Sequence, residues 1–171
     1  MKREAKLEGM VIDYYLPYAG SVLPDSPLWV LKVARDRLWL AITPGLAKKS
    51  ELNLLFADKR LQAARILFEE GKNDLAYSTL AKSCKYLEIS SDLEQQARDG
   101  GENTLDLAET IVNASLKHRQ IIREISLLVS DDVRPKITLL EDKLIVIYQQ
   151  KANYLLSKGR YVPINPFDGN L

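Results

Sequence analysis

At 171 residues, 46% hydrophobic and 27% charged, the chain is long enough for one domain with its own core and too apolar for wholesale disorder. Lys plus Arg number 24 against 23 Asp plus Glu, a net charge of +1, which provides no long-range pull on a phosphate backbone and argues against nucleic-acid binding. The single cysteine, Cys84, excludes an intrachain disulfide, no apolar run approaches the roughly 18 residues of a transmembrane helix, and charges break up residues 1–10 where a signal peptide would need an apolar core.

Residues 1–26 read as an extended, aromatic lead-in. Pro17, Pro24 and Pro27 bias the residues before them away from helix, and Gly20 adds a turn. Ser26-Pro27 reads as an N-cap followed by proline at the first helical position, opening a helix over 27–42. Leu28, Trp29, Val30, Leu31, Val33, Leu38, Trp39 and Leu40 make that helix apolar around much of its girth, so it must be buried on several sides or cover an interface. Thr43-Pro44 repeats the start signal for a helix over 44–70, which Gly71 stops. Its two apolar faces are Leu46, Leu54, Ala57, Leu61, Ala64 and Phe68, and opposite them Leu52, Phe56, Ala63 and Leu67. Charged strips with Glu51, Asp58 and Arg65, and with Lys49 and Arg60, separate them. Two apolar faces require two sets of neighbours, which makes this helix central.

Asn73 reads as the cap of a third helix over 74–99, with Ala76, Leu80, Cys84 and Leu87 inward and a weakly patterned second half, Ser90, Ser91 and Glu94, expected to be exposed. Gly100-Gly101 ends it. The fourth helix, 104–129, carries the cleanest heptad seam: Ala108, Ile111, Ser115, His118, Ile122, Ile125 and Val129. Asp131 or Asp132 caps a fifth helix over 133–158, with Pro135 in the tolerated first turn and a seam of Val133, Ile137, Leu140, Leu144, Ile147 and Tyr154. Gly159 closes it, and residues 160–171, with Pro163 and Pro166, form a non-helical tail. Four helices of about 25 residues, each about 38 Å long, joined by short links predict an all-α antiparallel bundle of five helices in one domain.

Chemistry is sparse in this pattern. His118 is the only histidine, and no second histidine or Glu-x-x-His pair accompanies it, so it reads as a core histidine bonded to a hydroxyl or carboxylate across the bundle. Cys84, between Leu80 and Leu87, reads as a buried, inert thiol. Phosphate loops, zinc spacings and nucleophile elbows are missing, so no catalytic residue, metal or cofactor is assigned. Two binding readings follow. In the first, the aromatic Tyr14, Tyr15, Tyr18 and Trp29 present a surface to a protein partner, or to a second copy of the chain, although the same aromatics could fix the lead-in onto the bundle. In the alternative, Ser115, His118 and Tyr148 line a small-molecule pocket within the bundle.

Residues 67–76, Leu67-Phe68-Glu69-Glu70-Gly71-Lys72-Asn73-Asp74-Leu75-Ala76, resemble one helix-turn-helix of a tetratricopeptide repeat, but a single unit does not make an array. A wider likeness is carried by Tyr15-Leu16-Pro17-Tyr18-Ala19-Gly20, Leu23-Pro24-Asp25-Ser26-Pro27-Leu28, Leu31-Lys32, Arg35-Asp36-Arg37, Lys48-Lys49-Ser50-Glu51-Leu52, Phe56-Ala57-Asp58-Lys59-Arg60-Leu61 and Gly71-Lys72. Over residues 14–90 the chain resembles an uncharacterised helical domain-of-unknown-function family of bacterial membrane-tethered proteins. The resemblance implies a non-enzymatic domain held outside the cytoplasmic membrane behind an N-terminal anchor, and it brings no active-site residues with it. The chain departs from that pattern by opening without the anchor.

Overall fold

A computed structural model describes residues 12–167; the first eleven residues of the lead-in and the last four of the tail lie outside the described residues. Five helices follow one another: α1 (Trp29–Ile42), α2 (Leu46–Glu69), α3 (Asn73–Asp99), α4 (Leu105–Leu128) and α5 (Arg134–Ser157). No strand occurs among the described residues, and the helices pack on one another as an all-α bundle. No helix among them is long and apolar enough to cross a membrane.

The helix ends follow the glycines more closely than the polar caps. Gly71 has a φ of +73°, a conformation that costs glycine nothing, and there the N–H of Lys72 reaches back to the Leu67 carbonyl at 2.9 Å. Gly101 ends α3 in the same way, with Glu102 N–H on Ala97 O at 3.0 Å. The starts depart from the sequence reading. Ser26 accepts the Leu28 N–H at 3.3 Å, so Ser26-Pro27 builds a turn and α1 begins only at Trp29. Thr43 donates its hydroxyl to Trp39 O and closes α1 instead of opening α2, which starts after Gly45. Asn73 is already helical, and Asp131 pairs with Arg134 rather than capping α5.

The central position of α2 holds: it packs against α3, α4 and α1. Its inward residues Leu54, Ala57, Leu61, Ala64 and Phe68 meet Leu80, Cys84 and Leu87 of α3, Ile111, Ile122 and Ile125 of α4, and Ile137 and Leu144 of α5 in one continuous core. Every member of the predicted α4 seam is buried. A second cluster joins the two ends of the described chain: Ile12 and Phe167 meet Val112, Leu116, Tyr148 and Leu155. Cys84 is buried, and desolvation pushes its thiol up to about 12, which leaves it inert at neutral pH.

The interior is more polar than the hydrophobic pattern indicates. Ser90, Ser91 and Glu94, expected outside, are all buried, as are Asp58 and Arg60 from the charged strips of α2. Each has a partner on another element. Ser50 of α2 donates to Ser90 O at 2.7 Å, and the Lys151 ammonium of α5 donates to Ser91 O at 2.7 Å and to Glu94. Such groups can be buried only because they are paired. On α5 the seam accordingly leaves the predicted Tyr154, which is half-buried, and continues through Lys151 and Leu155.

The tail lies back over α4 and α5. Tyr148 donates to Pro163 O at 2.9 Å, Asn165 accepts from Arg119 at 3.2 Å, and the Phe167 ring is stacked by the guanidiniums of Arg119 and Arg123 at 4.7 and 4.6 Å.

Candidate interaction surface

The residues named from sequence fall into different settings. Tyr15 and Tyr18 are exposed. Tyr14 turns inward, its hydroxyl donating to Asp58 Oδ2 at 2.8 Å. The other oxygen of Asp58 meets His118 Nε2 at 2.8 Å, so a chain from the half-buried Tyr14 through the buried Asp58 and His118 ties the lead-in through α2 to α4. This is the core histidine that the sequence predicts, held by a carboxylate across the bundle, although its Nδ1 has no hydrogen-bond partner among the described residues. Ser115 donates to Ile111 O of its own helix at 2.8 Å, and Tyr148 reaches the tail, so the polar tips of Ser115, His118 and Tyr148 each engage a different partner. Among the described residues no group of three or more His, Cys, Asp or Glu could hold a metal ion.

Burial, reinforced by the Asp58 charge beside it, holds the Tyr14 hydroxyl above the ordinary tyrosine range. A stability consequence follows. Above its ordinary value of about 10, the unfolded chain releases the Tyr14 proton while the folded chain keeps it, so stability falls as pH rises further, by about 1.4 kcal/mol per pH unit for this group. Tyr14→Phe therefore has two expected effects in urea denaturation. It loses about 1–2 kcal/mol at neutral pH, because a charged acceptor loses its donor, and its stability declines less steeply than wild type above pH 10. Parallel alkaline slopes in the two proteins would show that the hydroxyl is not held by Asp58.

Trp29 is half-covered and begins α1, the helix whose setting differs most from an ordinary amphipathic one. Only one of its residues is buried, and that residue is its single carboxylate, Asp36, at 2% exposure. Asp36 faces Arg60 of α2 at 3.5 Å and Arg35 of its own helix at 2.7 Å. The Arg60 guanidinium lies 4.3 Å over the Tyr86 ring, 5.6 Å over Phe56 and 5.8 Å over Trp29. Lys32 adds a second tie, donating to the lead-in carbonyls of Ala19 and Val22 at 2.7 and 3.0 Å. The helix is docked through charge and aromatic faces.

With Asp36 inward, the aliphatic side of α1 turns outward. Val30, Leu31, Leu38 and Ile42 are exposed by 72, 67, 62 and 68%, and Ala34 and Ala41 lie between them. At 100° per residue these six occupy one contiguous stripe opposite Asp36, edged by Arg37 on one side and Arg35 on the other. The apolar girth of this helix, which its sequence requires either to be buried on several sides or to cover an interface, is turned to the surface over this stripe. Its signal was present in the spacing of Leu31, Ala34, Leu38 and Ala41, alternating steps of three and four that mark one helix face.

Residues 21–132 match the family model described as a domain of unknown function, DUF5667. The chain belongs to that family. The DUF5667 match begins a few residues after the first of the motifs noted in the sequence and extends beyond them through α4. It therefore takes in α1, its stripe and the helices that support it, while α5 and the tail fall outside it. No curated protein and no solved structure matches the chain.

Proposed function

We propose that this domain acts by binding another macromolecule and not by catalysis, with the outward face of α1 as its contact element. The observation that carries the reading is the exposed stripe of Val30, Leu31, Leu38 and Ile42 on a helix whose only carboxylate is turned into the fold. Contiguous aliphatic surface of this kind on a folded domain marks an interaction site. The side chains that could do chemistry support the same reading: His118, Asp58, Glu94, Lys151 and Cys84 are all buried, and the four charged or ring groups bridge helices. Tyr15 and Tyr18 of the lead-in are further exposed large side chains.

The test separates a face made for a partner from a face needed by the fold. Replacing Leu31 and Leu38 together by Gln, which has nearly the same helix propensity as Leu, is expected to shift unfolding stability by no more than about 0.5 kcal/mol. A photo-reactive amino acid at position 38, introduced in cells producing the full-length protein, is expected to cross-link to a discrete partner that the same group at exposed Thr110 does not reach. Destabilisation of core size by the Gln pair, or identical cross-linking from the two positions, would overturn the reading.

A further inference from the structure

Beside the stripe, α1, α2 and α3 enclose a groove of about 630 Å3. Its apolar lining comes from Leu40 and Ala41 of α1 and from Tyr86 and Ile89 of α3. Its charged lining is of one sign: Arg37, Lys49, Lys82 and Lys85, with no carboxylate among the lining residues. In a chain of 24 cations and 23 carboxylates, that is a local segregation of charge. Lys85 is paired with Glu88 at 3.0 Å, whereas no ion pair among the described residues engages Arg37, Lys49 or Lys82. Arg37 and Ala41 belong both to the groove and to the border of the stripe, so groove and stripe form one surface.

We infer that this surface receives an amphipathic α-helix with acidic flanks, supplied by a partner protein; the inference rests on the interaction reading above and names its partner class. Leu31, Ala34, Leu38 and Ala41 have the alternating spacing with which one helix receives the side chains of another, and the two alanines permit close approach. The apolar seam of the incoming helix would lie on this stripe and on the apolar lining of the groove. Its carboxylates would meet Arg37, Lys49 and Lys82, whose charges no ion pair answers among the described residues. A second copy of the chain fits poorly, because both edges of the stripe are arginine and α1 has no outward carboxylate with which to answer them. A lipid surface fits poorly as well, since a flat bilayer does not fill a concave groove between three helices.

The probe is a fluorescein-labelled model peptide of roughly 21 residues, three heptads with Leu and Ala on the seam and Glu on its flanks; its control carries Lys in place of Glu. Fluorescence anisotropy is expected to show saturable binding of the acidic peptide, weakening with added salt, and none of the basic control. Lys49→Glu with Lys82→Glu, both at the surface of the fold, is expected to weaken binding by about tenfold or more, as is Leu38→Glu. Failure of the acidic peptide to bind, equal binding of the two peptides, or indifference to the charge reversals overturns the inference. So do sedimentation of the wild type as a dimer that Leu38→Glu dissociates, and co-sedimentation with anionic vesicles without peptide binding; these assign the surface to a second copy or to lipid. Should the Gln pair prove neutral and position 38 cross-link while the acidic peptide fails, the interaction reading stands and only the partner class falls.

Discussion

Lys151→Ala is expected to remove about 3–5 kcal/mol of stability, against a total of about 5–15 kcal/mol for a domain of this kind. The Lys151 ammonium is 1% exposed and its partner Glu94 is fully buried. It donates to one Glu94 oxygen and to Ser91 O at 2.7 Å, while the other Glu94 oxygen accepts from Thr104, just before α4, and from Arg98 at 3.3 Å. One carboxylate thus joins α3, α5 and the start of α4. Truncating the lysine leaves that carboxylate in the interior with only the partly exposed Arg98 to answer it, and an uncompensated buried charge is among the most costly defects a core can hold. The midpoint of thermal unfolding is expected to fall by about 6–20 °C. Removing both charges, Glu94→Leu with Lys151→Met, is expected to recover most of the loss, because the desolvation cost of the pair disappears with the pair. A loss below 1 kcal/mol for Lys151→Ala would mean that water reaches Glu94 and that this interior is not closed.

That network also shows where the sequence stops being legible. The periodicity of Ala76, Leu80, Cys84 and Leu87 identifies the inward face of α3, and the face continues unbroken through Ser91 and Glu94. Polar residues at the continuing positions make the pattern look as though it fades. Their burial depends on Ser50 and Lys151, 40 and 57 residues away for the nearest contacts, and spacing along one helix carries no information about such partners. The α4 seam is legible throughout because aliphatic side chains need only a neighbour and not a particular one. His118 falls between these cases. Its place on that seam predicts burial and a hydroxyl or carboxylate partner across the bundle, but Asp58 sits in a charged strip between the two apolar faces of α2, so which group answers it is not predictable. For the candidate surface the difficulty is one of direction: hydrophobicity alone allows Leu31 and Leu38 either inside or at an interface, and the structure puts them outside.

The residue that decides that direction is Asp36, and Asp36→Ala is expected to release α1 from the bundle. The Arg60 side chain is 5% exposed, and its NH2 faces Asp36 at 3.5 Å. Without the carboxylate, Arg60 keeps its stacking on Tyr86 and one bond to Phe56 O at 3.3 Å, but a buried cation loses its counter-charge. The expected loss is about 3 kcal/mol, the low end for a broken buried pair because Arg60 retains its aromatic neighbours. The more telling readout is local. Amide hydrogen exchange should rise across 29–42 while the central stretches of α2 and α4 keep their protection, since α1 holds no aliphatic residue in the core to couple its opening to theirs. Asp36→Asn, which keeps an acceptor for Arg60 without the charge, is expected to fall between Ala and wild type. Unchanged exchange in α1 after Asp36→Ala would show that Trp29 and Lys32 suffice to hold it. If α1 instead loosens as expected, the stripe is outward because one buried ion pair forces it so. In that case the orientation of the binding face is set by electrostatics, against the preference of the oily residues that form it.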